Sequence, residues 1–261
     1  MKQTIITLLL VLVAMVVSCN GRNACEQQEN NADTCEIIHS TEQAQTFPPA
    51  MEDTIDFVIT GTTPGTDDNV LVMPYAPPYE GENFPIKDGQ FKVTGRLPRN
   101  TFIQIGDYAD TDLRFIVEET PTHINLATGE VTGSELQKRF IRCQLREREI
   151  EKKMKPWWDS FSEEEQYRII FMSTGKQQTQ SAQDSTNLKI FEDYKHDMDA
   201  VVRQIIRENQ ENIIPAWYIY VHWGELTSEE AEEFMREDAP YAHHPLMERP
   251  WKVYRDKIKS E

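Results

Sequence analysis

The stretch EVTGSELQKRF, Glu130 to Phe140, is where the hydrophobic period of the chain changes. Upstream of it apolar residues alternate with polar ones in short runs, and downstream they recur every three to four positions, so strands give way to helices. Ser134 and Gln137 have the capping-box spacing that opens a helix. Leu136, Phe140, Cys143, Ile150 and Met154 then fall on one stripe that runs toward Pro156. Cys143 lies on that stripe, so burial as a small apolar residue is preferred to a reactive thiol.

Working back from Glu130, six runs each have the length of one strand: Ile55–Gly61, Asn69–Tyr75, Gly89–Leu97, Thr101–Asp107, Leu113–Glu119 and Thr122–Ala127. Leu113, Phe115 and Val117 alternate with Arg114 and Glu118, which gives that strand one buried face. Turn residues join the runs. PGTDDN precedes Asn69, and KDG precedes Gln90, where Asp-Gly tolerates the positive φ values of a type I′ hairpin. The fold class expected is α+β, with an antiparallel β-sandwich or partly closed barrel followed by a helical segment.

Working forward, Ser162 with Glu165 and Thr227 with Glu230 are two further capping boxes. Between them Leu188, Phe191, Met198, Val201 or Val202 and Ile205 form the stripe of a long helix, and NIIPAWYIYVHW starts a short aromatic helix near Pro215. Such aromatic stripes are read as core rather than as a cofactor box. The segment Ser173–Thr186 has no apolar residue larger than Ala and is read as a loop or insertion.

The N-terminus is of another kind. After Lys2, an apolar run from Ile5 to Val17 reaches only about 20 Å as a helix, short of the roughly 30 Å bilayer core. It reads as a secretion signal. Val16-Val17-Ser18-Cys19 resembles the bacterial lipobox, in which the cysteine is acylated and becomes the first mature residue. Cys19 is thus the expected lipid anchor, and Asn20 to about Met51, rich in Gln, Asn, Glu and Thr, a tether spanning on the order of 30 Å. The organisation expected is a signal over 1–18, a tether over 19–51, a β-sandwich domain over 52–133 and a helical domain over 134–261.

The formal net charge of −17 becomes −18 once Lys2 leaves with the signal. That acidity excludes nucleic acid and anionic membrane surfaces as partners attracted by charge. A hydrophobic fraction of 39% still supplies a core. Cys25 and Cys35 remain beside Cys143. In an oxidising envelope they can close a loop worth about 3 kcal/mol against the unfolded chain, or stay free or pair between molecules. Neither a C-x-x-C redox spacing nor a zinc-ligand histidine pair accompanies them.

Taken in order, FVITG, VLVMPY, IKDGQFKVTGRLP, FIQIGD, LRFIVEE and INLATGEVTGSELQKRF are similar to the N-terminal domain of unknown function of envelope-anchored thioredoxin-like thiol:disulfide oxidoreductases. The segments IIRENQENIIPAWYIYVH and HHPLMERPWKVYRDKI resemble the helical part that precedes the catalytic domain in those proteins. The likeness runs from about Ile55 to Ile258. It implies an accessory portion without the enzyme, because no C-x-x-C occurs in these 261 residues, and no catalytic residue carries over.

Other chemistry is weakly written. His243-His244 lacks ligand spacing, and His244-Pro245 reads as a helix entry. Glu229, Glu230, Glu232 and Glu233 suit the first turns of a helix better than a metal. No catalytic residue, cofactor or metal ligand is assigned. Trp157 and Trp158 can grip a partner or close a seam between modules.

The function expected is a non-catalytic binding module held by lipid on Cys19, at the periplasmic face of the outer membrane in preference to the surface. Its partner is an envelope protein or a small ligand, and the resemblance implies a role accessory to thiol:disulfide exchange. The alternatives are a thiol-dependent redox protein using Cys143 or the Cys25 and Cys35 pair, and a structural spacer.

Overall fold

The computed structural model describes residues 53–64, 68–75, 80–106, 112–175 and 181–258. The expected signal, the anchor Cys19, the tether and the Cys25 and Cys35 pair lie outside them.

Eight strands form one curled, half-barrel sheet. They are β1 (Thr54–Thr62), β2 (Asn69–Pro74), β3 (Glu82–Lys87), β4 (Gln90–Pro98), β5 (Phe102–Gly106), β6 (Leu113–Ile116), β7 (Thr122–Asn125) and β8 (Val131–Thr132), in the order β6-β5-β2-β3-β4-β1-β7-β8. Of the two expected forms the partly closed barrel is the one adopted, and it is mixed rather than wholly antiparallel. Strand β7 runs parallel to β1, Ile59 facing Thr122. Strands β3 and β8 are additions to the six runs read from sequence.

The β3–β4 turn has the expected geometry. Asp88 and Gly89 both have positive φ, 52° and 71°, and Lys87 faces Gln90 across the two-residue loop. That is the type I′ signature, whose twist matches the flanking strands.

Alternation along the strands builds two cores. Ile55, Phe57, Ile59, Val70, Val72, Phe91 and Val93 bury one sheet face together with Ile103, Ile105, Leu113 and Phe115. On β5 and β6 the other side chains, Phe102 and Ile116, point into a helical core instead. These two strands are therefore buried on both faces.

The helices are α1 (Glu135–Trp158), α2 (Glu163–Ser173), α3 (Ala182–Glu208), α4 (Ile214–His222), α5 (Ser228–Phe234) and α6 (Glu248–Ile258), with 3-10 turns at Trp223–Glu225 and Pro245–Met247. Ser162 and Thr227 close full capping boxes with Glu165 and Glu230. The expected loop over Ser173–Thr186 is shorter, because Ser181 caps α3 through the Asp184 amide and the helix starts at Ala182. Helix α1 also runs through Pro156 rather than ending before it, the proline sitting in its last turn.

Ser134 caps α1 as expected, accepting from the Gln137 amide at 2.9 Å, but Gln137 does not complete the box. Its side chain is fully buried and its Oε1 accepts from the Ile116 amide at 2.9 Å. Two turns along, Gln144 accepts from the Arg114 amide and donates to the Arg114 carbonyl, each at 2.8 Å. The outer edge of β6, which ends the sheet, is thus paired by two glutamine amides of α1 in place of a ninth strand. Edge strands need such cover because their backbone groups are otherwise open to another chain.

Among the described residues no helix is long and apolar enough to cross a membrane.

Candidate functional site

The charged groups that the fold draws inward lie between α1, α3 and α4. Arg114 of β6 points away from the sheet core, 5.0 Å over the Trp217 ring, with the Glu147 carboxylate of α1 at 4.0 Å. Burial pushes the Glu147 carboxyl above its ordinary range, against the pull of Arg114. Beside it the fully buried Tyr218 hydroxyl has no hydrogen bond of good geometry. Burial, and then the Glu147 charge, drive that phenol well above its ordinary value.

One helical turn beyond Tyr218 on the same face of α4 is His222. Its Nδ1 lies 2.8 Å from Glu225 Oε2, in the 3-10 turn that follows. Asp199 of α3 completes a group whose donor atoms all lie within 4.8 Å of one another. The three side chains are 25%, 21% and 27% exposed for Asp199, His222 and Glu225, so the group is recessed but open to solvent.

Cations surround it without saturating it. Arg203 divides its guanidinium between Asp199 at 3.4 Å, the Glu225 carbonyl at 3.1 Å and the Glu230 carboxylate. Lys195 stands 3.8 Å from Glu225. Burial raises the Asp199 carboxyl, and the neighbouring Glu225 charge raises it further, against Arg203 and Lys195. Glu225 is displaced the other way: burial opposes its ionisation, but the hydrogen bond and charge of His222 outweigh that and hold the carboxyl low. One imidazole nitrogen and two carboxylates converging from different elements can share a proton or hold a divalent cation.

Sequence reading named none of these three residues, which are brought together by the α3–α4 packing. The one local signal is the i, i+3 pairing of His222 with Glu225 across the end of α4.

The residues singled out in the sequence are placed elsewhere. Cys143 is buried among Phe140, Val202, Ile205 and Trp217, with Asn209 Nδ2 at 3.8 Å from its sulfur. Burial, with the Glu147 charge adding, pushes its thiol up to about 11. At pH 8 the thiolate is then about one part in a thousand. Iodoacetamide should label Cys143 at least about a hundredfold more slowly in the native chain than in urea; equal rates would place the thiol at the surface.

Trp158 is only 5% exposed and stacks on Phe191, ring centroids 5.5 Å apart, in a small core with Ile169, Ile170, Met172 and Tyr194. The seam it closes joins α1, α2 and α3, and no sheet residue belongs to it. Trp157 is half-buried, edge-on to Phe161 at 4.9 Å.

His244 caps the 3-10 turn with Pro245 at its first position, the helix entry read from sequence. Its Nδ1 accepts from the Leu246 amide at 3.2 Å, which leaves the proton on Nε2, 3.0 Å from the Asn100 carbonyl of the β4–β5 turn. Glu230 serves the α5 cap and Arg203, and Glu233 forms a forked pair with Arg207, both contacts 2.7 Å.

The chain matches no protein-family model, and no curated protein matches it.

Proposed function

We propose that the chain is a lipid-anchored protein of the bacterial cell envelope whose sheet and helices form a binding module rather than an enzyme. The observation that carries this reading is the sequence Lys2, the apolar run and Val16-Val17-Ser18-Cys19, followed by a polar tether. The buried, high-pKa thiol of Cys143 supports giving it a packing role, so that any thiol chemistry of the mature chain falls to Cys25 and Cys35. The resemblance to the portion preceding a thioredoxin-like domain supports a role accessory to thiol:disulfide exchange. An envelope protein or a small ligand is the partner class, and the periplasmic face of the outer membrane is the location. Trp157 is the member of the tryptophan pair with surface to offer, since Trp158 is committed to packing.

Metabolic labelling with radioactive palmitate tests the anchor. The native chain should carry label and sediment with membranes, and Cys19→Ser should do neither; a Cys19→Ser chain that still carries label would sink the proposal. Affinity capture from the native envelope, beside Trp157→Ala, then tests the binding role. A specific partner lost in the variant supports it, and an identical protein set from both places the grip elsewhere on the surface.

A further inference from the structure

We infer that Asp199, His222 and Glu225 form a binding site for one divalent transition-metal cation, for which zinc is the representative. The donor set is one nitrogen and two carboxylate oxygens, a combination suited to zinc or manganese and poorly suited to the softer, thiolate-seeking ions. Bond lengths of about 2.1 Å place tetrahedral donors about 3.4 Å apart. The donors here lie between 2.8 Å and 4.8 Å from one another, so side-chain adjustments of about an ångström close the site.

Two further features favour a cation at this point. His222 is the last residue of α4, so the negative end of that helix faces the group. Its surroundings leave negative charge in excess: Arg203 serves Asp199 and Glu230 together, and Lys195 reaches Glu225 only at 3.8 Å.

Binding replaces the proton that bridges His222 Nδ1 and Glu225 Oε2, which passes to solvent, while the cation accepts the nitrogen lone pair and both carboxylates. The fractional exposure of the three side chains leaves one side open for water, as in sites with three protein ligands.

Calorimetric titration of the metal-stripped full chain with ZnCl2, and in a second series MnCl2, tests this. Solvent-accessible thiols are first blocked with iodoacetamide, so that cysteines do not compete. One equivalent should bind. Asp199→Asn, His222→Ala and Glu225→Gln should each weaken it at least about tenfold, and His243→Ala, on an exposed histidine, should leave it unchanged. Circular dichroism shows which variants fold, and Asp199→Asn, nearly isosteric, carries the test if His222→Ala does not. A folded native chain that takes up no stoichiometric metal overturns the inference. So does one-equivalent binding that survives in Asp199→Asn and Glu225→Gln.

Discussion

Replacing Gln144 with leucine should lower the unfolding free energy by about 3 kcal/mol, although the new side chain is apolar and of similar size. The glutamine amide is 2% exposed and answers both polar groups of the Arg114 peptide on the last strand of the sheet. Leucine fills the space but leaves an amide N–H and a carbonyl without partners, at roughly 1–3 kcal/mol each. Urea denaturation monitored by circular dichroism measures the change. A loss below about 1 kcal/mol would mean that water or a shifted strand replaces the glutamine. The same variant should be more prone to self-association, because the β6 edge is then available to another strand.

A second large effect should appear with pH. His244 is held neutral in the fold, its pKa lowered from 6.5 to about 4 by burial, against the Asn100 hydrogen bond. Protonation would place a hydrogen on Nδ1, where the Leu246 amide already donates. The unfolded chain binds this proton near pH 6.5 and the folded chain only near pH 4, so stability is full above about pH 6.5 and falls as the pH drops toward 4. The contribution lost across that window is about 3 kcal/mol. Other groups add their own slopes, so the test is a comparison with His244→Asn, which keeps a capping acceptor. The variant should start less stable at pH 7.5 and lose less on acidification. Parallel curves would show that His244 titrates normally.

Much of the fold is legible in local pattern, because local pattern sets it. Asp88-Gly89 fixes its hairpin whatever lies around it, and Thr227 with Glu230 starts its helix from four residues. Strand β3 escaped because Glu82–Lys87 buries no residue fully and contains Pro85; Phe84 and Ile86, both half-buried, are too weak an alternation. Gln137 shows the limit of the capping-box rule: its spacing from Ser134 is right, but a buried strand amide offers its side chain a better partner than the solvated start of the helix. The parallel pairing of β7 with β1 is a long-range choice that neither strand encodes alone.

The candidate site lies still further from sequence reading. Asp199 sits in a run of charges that any solvated helix face would carry, and His222 and Glu225 stand near the end of an aromatic helix that reads as core. Only the packing of α3 against α4 and the turn beyond it makes them neighbours. The tryptophan pair is the converse case, conspicuous in sequence and largely used in packing.

The position of β1 bears on how the sheet assembles. It is the earliest described strand, yet it lies inside the sheet between β4 and β7. Its first partner arrives at Gln90 to Pro98 and its second only at Thr122 to Asn125. A chain emerging from its N-terminus therefore presents β1 with one open flank until some sixty further residues have followed, so completing the sheet costs a long loop closure and should be slow. During that interval β1 to β6 can pair among themselves while the far flank of β1 stays open, and the arrival of β7 is the event that commits the N-terminal strand to its place.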